Sequence, residues 1–201
     1  MHILTHSELR SLYGEPQERA RRKEMASLDR HCRDFIALSP FVVLSTCDVE
    51  HNLDASPRGG DPGFVKVTGK GHLLLPDSPG NNRLDSFLNI ISTGKIGLLF
   101  LIPGFDETLR VNGSAVLSQE EGDIRLCTTQ RRAPKLVVHV TVTAAYLHCA
   151  KAFLRSKLWS ESSKVERTTL PTAGQMISDQ SGLKVPPETR EEMERRYVPD
   201  L

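Results

Sequence analysis

Apolar positions along the 201-residue chain change period near Pro40. Thr5 and Glu8 stand three apart, the spacing of a capping box, so a short helix is predicted from there to Gly14, a natural helix stop. Pro16 can open the next helical stretch, which runs to Leu38 with a break near Ser27. Within it Leu28, Cys32, Phe35 and Ile36 recur at spacings of three and four and face a core. Pro40 ends the helix. The pattern then shortens to strand-sized runs. Phe41–Cys47 is β-branched and apolar, Asp48–Asn52 supplies turn residues, and Leu53–Ser56 returns as the second arm of a hairpin. Phe64–Thr68 alternates, Gly69 to Gly71 turns, and His72–Leu75 comes back. Ile96–Ile102 and Thr108–Leu117 form a hairpin around Pro103 to Asp106, and Leu136–Leu147 is the longest strand. Helices are predicted over Arg83–Ile91 and His148–Leu158. Such antiparallel succession with few helices predicts a mainly β (α+β) chain closed as a small barrel, not a βαβ sheet. Three regions follow: N-terminal helices over 1–40, a barrel over 41–159, and a polar tail over 160–201. The tail carries Pro171, Pro186 and Pro187 and one short helix near Ala173–Ile177.

Composition narrows the function classes. With 38% hydrophobic and 25% charged residues the chain is rich enough in apolar side chains to fold around one core. No apolar run reaches the roughly 20 residues of a membrane helix. The N-terminus lacks the basic start and apolar stretch of a secretory leader, which predicts a cytoplasmic protein. Lys plus Arg number 26 against 25 acidic residues, without the basic stripe of a nucleic-acid binder; Arg21–Lys23 reads as a solvated helix face. The four cysteines have no C-x-x-C spacing, so no metal centre is expected and all four read as reduced, buried structural thiols. His139 and His148 read as structural histidines. His2, His6, His31, His51 and His72 lack ligand spacing and read as surface or turn residues.

Three segments carry candidate chemistry. In Asp54–Phe64, an arginine at a strand end precedes two glycines and Asp-Pro-Gly. Arg58 offers a planar fork suited to phosphate, and the glycines let a ligand approach the backbone. An ordinary Gly/Pro turn with a solvated arginine is the competing reading. In Leu75–Asn89 a strand ends at Pro76, Asn81 or Asn82 can cap a helix, and Arg83 opens it. A helix start presents free N–H groups to an anion, and an arginine there opposes the helix dipole unless it has an anionic partner. A plain Asn-capped helix competes with that reading. In His148–Trp159, Lys151 and Arg155 share a helix face and the only tryptophan closes the segment. An amphipathic surface helix with an anchoring Trp would look the same. Neither a P-loop nor a G-x-G-x-x-G dinucleotide fingerprint is present.

The ordered set SPFVVLST, DASPRGGDPGFVKV, LLLPDSPGNNRLDSFLNI, IGLLFLIPG, ETLRVNGSA and LHCAKAFLRSKLW resembles the pyridoxamine 5′-phosphate oxidase-like flavoprotein superfamily, closest to a bacterial subgroup of FMN-dependent split-barrel proteins. The resemblance spans Ser27–Trp159 and implies an FMN-binding split β-barrel with flanking helices, built as a homodimer with FMN in clefts between protomers. It implies that Arg58 and the Asn81-Asn82-Arg83 run bind the FMN phosphate. Backbone at Ser56, Pro57 and Gly59 would lie along the isoalloxazine edge, Leu75 and Pro76 would line the pocket, and Asn89 would stand nearby. Lys151 would reach the cleft from the partner chain, with Trp159 closing the same motif. The R-x-x-x-L-K strand motif and the Arg-Leu-x-Pro-like ending of true pyridoxamine-phosphate oxidases are missing, which argues against vitamin B6 oxidation. The region Ser160–Leu201 holds no histidine, unlike the C-terminal loop of haem-degrading relatives. The implied function is an FMN-dependent oxidoreductase acting on a small molecule, with NAD(P)H as possible electron donor. The alternatives are a non-catalytic flavin-binding or carrier protein and a split-barrel relative using F420 or haem.

Overall fold

The computed structural model describes residues 2–3, 5–182 and 188–200. Seven strands form one antiparallel sheet: β1 (Phe41–Cys47), β2 (Leu53–Gly59), β3 (Lys66–Thr68), β4 (His72–Pro76), β5 (Lys95–Leu101), β6 (Thr108–Ser118) and β7 (Val137–His148). Their spatial order is β2-β1-β5-β6-β7-β4-β3. Among the described residues eight α-helices accompany them: α1 (His6–Tyr13), α2 (Glu18–Arg22), α3 (Arg30–Leu38), α4 (Asp85–Thr93), α5 (Glu121–Cys127), α6 (Lys151–Ser156), α7 (Ala173–Ser181) and α8 (Arg190–Tyr197). Among the described residues no helix is long and apolar enough to cross a membrane.

Alternation along the strands decides where the core lies. Val42 and Leu44 of β1, Ile96, Leu98 and Phe100 of β5, Leu109 and Val111 of β6, and Val138 and Val140 of β7 all point to one side and are buried. Leu73 and Leu75 of β4 join the same cluster, so the sheet curls around a single core. Helices α3 and α4 close that core with Cys32, Phe35, Ile36, Phe87 and Ile90. The bend needed for curling is built into the longest ladder. The β6–β7 register slips between Asn112 and Gly113, and a Cβ on Gly113 would collide with the Thr141 carbonyl oxygen.

The N-terminal region is anchored on β7. The Thr5–Glu8 capping box forms as expected, and Gly14 ends α1. Met25 then bridges to Ala145 of β7. The helical stretch expected up to Leu38 divides into α2 and α3, with Asp29 capping α3 through a 2.8 Å bond from the Cys32 N–H. That bond holds the Asp29 carboxyl below its ordinary range. Arg21 and Arg22 are solvated and pair with Glu15 and Glu18.

Four elements depart from expectation. Strand β2 continues past Ser56 to Gly59, because Pro57 needs no ladder partner on a sheet edge. Helix α5 was not expected: its short run offers only Ile124 and Cys127 to the core side, where they cover Leu74 and Val137 on the outer face of the sheet. Strand β7 runs on to His148, so the helix expected from there starts only at Lys151. The tail holds two helices instead of one. Helix α8 has only Met193 and Tyr197 as non-polar side chains, too few to form a stripe that would betray it; a Thr189–Glu192 capping box and an Arg190–Glu194 pair hold it. It is tied to the segment before it by two 2.8 Å bonds between Arg196 and Glu188. Pro186 and Pro187 lie outside the described residues.

The expectation of four buried thiols holds for two. Cys32 and Cys127 are buried, and burial pushes both thiols up to about 11. Cys47 is half-buried on the outer side of β1, and Cys149 is exposed just past β7, where no packed layer covers it.

Gly113→Ala is expected to destabilise the fold by about 1–3 kcal/mol, because the added methyl meets the backbone of the paired strand and not a movable side chain. Urea unfolding followed by circular dichroism checks this; unchanged stability would contradict the tight bulge.

Candidate functional site

Antiparallel pairing places Asp54 opposite Thr46, Ser56 opposite Leu44, and Arg58 opposite Val42. These three polar residues of β2 therefore share the inner, core-facing side of the sheet. They occupy its open margin, because β2 is an edge strand. Helix α4 lies across that margin and presents Ser86, whose surface is only 2% exposed. The Ser86 hydroxyl donates to Asp54 Oδ2 at 2.5 Å and lies 3.3 Å from the Ser56 hydroxyl. Ser56 also donates to Asp54, at 3.1 Å. Arg58 Nη2 donates to Ser86 at 3.3 Å, and its Nη1 donates to the Pro57 carbonyl at 2.8 Å. The cluster thus fastens the guanidinium to the first turn of α4.

Its electrostatics favour a free cation. Asp54 directs its oxygens at the two serines, and no ion pair joins it to Arg58. Burial lowers the Arg58 pKa from its ordinary value, and the charges of Asp54 and Asp77 oppose that shift. Asp77 follows the end of β4, so the tips of β2 and β4 are close enough to feel each other.

The start of α4 differs from the expected Asn cap. Its N-cap is Leu84, in the left-handed region at φ 61°, and it makes no side-chain cap bond. Asn81 Oδ1 accepts the N–H of Arg83 at 3.1 Å, a local turn that competes with helix formation. Asn82 also stands at positive φ, 59°, so the chain winds through two left-handed residues before the helix begins. Arg83 is no unanswered cation: its Nε donates to Asp85 at 2.8 Å on the surface. The opposing charge in the first turn comes from within the chain. With Leu84 unable to cap, the first N–H groups of α4 have no side-chain partner.

The other expected residues divide by position. Leu75 is fully buried in the core, and Pro76, half-buried, ends β4. Asn89 faces inward and donates to the buried Thr46 hydroxyl at 3.0 Å, which pins α4 to β1. Pro57 and Gly59 are exposed on the opposite side of β2 from Arg58. Lys151 is exposed at the start of α6. Trp159 stacks on Phe153 at 5.6 Å and donates to the Phe105 carbonyl at 2.7 Å, which ties it to the β5–β6 turn. No hydrogen bond or ion pair among the described residues joins Lys151 or Trp159 to the Arg58 cluster of the same chain. Asp54, Ser86 and Thr46 went unrecognised in the sequence. The D-x-S-x-R alternation was the available signal: at strand period it sets three polar side chains on one face.

A family model described as pyridoxamine 5′-phosphate oxidase matches residues 28–149, well over half the chain. This chain belongs to the pyridoxamine 5′-phosphate oxidase family. The match takes in β1 to β7 together with the Arg58 cluster and stops before Lys151. No curated protein matches the chain in sequence. Among solved structures, HupZ from Group A Streptococcus is similar at 16% identity, covering 62% of this chain and all of the other in a point variant, with a TM-score of 0.51. A second HupZ structure covers 60% and 93%, with a TM-score of 0.50. An FMN-binding protein from Syntrophomonas wolfei covers 58% and 83% at 17% identity and a TM-score of 0.46. At these identities the HupZ likeness speaks for the fold: the curled antiparallel sheet with flanking helices is the split-barrel architecture of the pyridoxamine 5′-phosphate oxidase family.

Ser86→Ala removes the hydroxyl that serves Asp54 and receives Arg58. It is expected to cost about 1–3 kcal/mol, since the half-buried Asp54 carboxylate loses its shorter hydroxyl donor, keeping only Ser56, and Arg58 loses its acceptor on α4. Denaturant titration measures this, and a neutral result would show that the cluster does not clamp α4 to β2.

Proposed function

We propose that this member of the pyridoxamine 5′-phosphate oxidase family is an FMN-dependent oxidoreductase acting on a small molecule, with NAD(P)H as electron donor, and that it works as a homodimer. The observation that carries the reading is the half-buried Arg58 fork held at the uncapped start of α4. A phosphate monoester needs a planar cation and free N–H donors converging from fixed elements, and this margin offers both. The residues fit the group: Arg58 and the first amides of α4 would hold the phosphate, and the outward edge of β2 from Ser56 to Gly59 would supply backbone donors and acceptors to the ring. Bound FMN supplies two-electron redox chemistry, while the protein supplies binding, orientation and electrostatics. Ser86 acts by aiming Arg58, and Asp54 by holding Ser86. The absence of the R-x-x-x-L-K strand motif argues for a substrate other than pyridoxamine phosphate.

The dimer reading rests on the outer sheet face. There Phe41, Val43, Leu99 and Leu101 lie side by side with Pro57 and Gly59, opposite the core-facing positions. Such an apolar face on an edge-bearing sheet is a natural contact for a second copy. Lys151 of that copy would complete the cofactor cleft. Sedimentation at micromolar concentration is expected to show a dimer, and a monomer would overturn this part of the reading.

FMN titration followed by quenching of its fluorescence tests the cofactor site. Saturable binding is expected, and Arg58→Met should weaken it roughly 10- to 100-fold, the equivalent of charge-assisted bonds worth about 1.5–3 kcal/mol. Undiminished affinity in that variant would refute the phosphate site. Stopped-flow mixing of the FMN-loaded protein with NADPH or NADH separates turnover from carriage: rapid bleaching is expected, and its absence would favour a flavin-binding protein without turnover.

A further inference from the structure

We propose that His72 and His139 form a two-histidine site for a late first-row divalent cation such as zinc, on the outer face of the sheet beside α5. The sequence sets these residues 67 positions apart, with no ligand spacing. The fold brings them together, because Leu74 of β4 pairs with His139 of β7 and His72 pairs with Thr141. Both rings line one cleft of about 240 Å³, together with Ser114, Val116 and Thr141.

The rings are prepared as ligands. His139 Nδ1 lies 3.3 Å from Asp123 Oδ2, and that carboxylate is held by the Ser118 hydroxyl at 2.8 Å. His72 Nδ1 lies 3.4 Å from the Thr141 hydroxyl. Each ring therefore has Nδ1 engaged, which leaves Nε2 as the nitrogen without a protein partner. A metal-bound histidine characteristically directs its other nitrogen at a carboxylate or another polar group, and a carboxylate there raises the basicity of the ligand. The ring centroids are 5.4 Å apart, nearly perpendicular at 86°. Two imidazoles on one tetrahedral ion, at Zn–N distances of about 2.0–2.1 Å, have centroids roughly 5 Å apart. The centroid separation is of that size, and imidazole nitrogen suits zinc, copper and nickel over magnesium or calcium. Among the described residues no group of three or more His, Cys, Asp or Glu is arranged for a metal. The remaining positions would therefore be taken by water, which the hydroxyls of Ser114 and Thr141 can orient. Asp123 is a positioning residue, acting through His139. The site lies on the side of the sheet away from Arg58 and does not depend on flavin binding.

The test is calorimetric titration of the chelator-treated full chain with zinc chloride at pH 7.5, in a Cys149→Ser background that removes the exposed thiol as a competitor. One zinc per chain is expected in the micromolar range. His72→Gln or His139→Gln should each reduce affinity at least tenfold, Asp123→Asn about 10-fold, and His31→Ala, elsewhere on the surface, should change nothing. Because His72 is exposed, His72→Gln is expected to stay folded, and its melting curve checks that. Zinc binding that survives both glutamine substitutions, or no saturable binding by the parent chain, would overturn the proposal.

Discussion

The hydroxyl of Ser86 is the point on which the candidate cofactor margin turns. It donates to Asp54 and accepts from Arg58, so one buried side chain couples the edge strand to the helix that covers the core. Without that link β2 would be an ordinary sheet edge and α4 an ordinary surface helix. Because Ser86 is buried, its polar atoms must find partners within the protein, and only these two residues and Ser56 are within reach. The local backbone follows: α4 must begin close to β2, and the chain reaches that start through left-handed turns at Asn82 and Leu84.

The sheet serves two purposes with its two faces. The inner face is apolar through its middle strands and turns polar toward its margin, at Thr46 of β1 and at Asp54, Ser56 and Arg58 of β2 beside α4. The outer face is divided. Near β1, β2 and β5 it is apolar and uncovered. Beside β4 and β7, α5 covers Leu74 and Val137 and leaves a groove of mixed character lined by two histidines. A bulge at Gly113 gives β6 and β7 the bend that lets both arrangements coexist on a single sheet.

The electrostatics of the described chain are mostly local. Arg83 is answered by Asp85, Arg21 and Arg22 by glutamates of their own region, and Arg196 by Glu188. Arg58 stands apart: it is half-buried, hydrogen-bonded to neutral groups, and free of a direct carboxylate contact. Arg110 is comparable on the outer face, where it stacks over Tyr146 at 5.2 Å and makes no hydrogen bond or ion pair among the described residues. Cations left in this state hold interaction energy that an anion can still claim.

Periodicity alone located every strand and the helices that cover the core, because burial on one face imposes a repeat that a single sequence displays. The Thr5–Glu8 box and Gly14 were equally plain, being contacts between residues a few positions apart. Helices α5 and α8 escaped notice because the first buries only Cys127, with Ile124 half-buried, and the second buries no side chain. Arg58 stood out because a cation beside glycines breaks the apolar pattern, whereas Ser86 did not, since a serine in a helix looks the same buried or exposed. The clamp from Asp54 to Ser86 and the meeting of His72 with His139 were decided by the tertiary structure. Each depends on which strands lie side by side and in what register, and pairing across distant segments leaves no mark on the local order of residues.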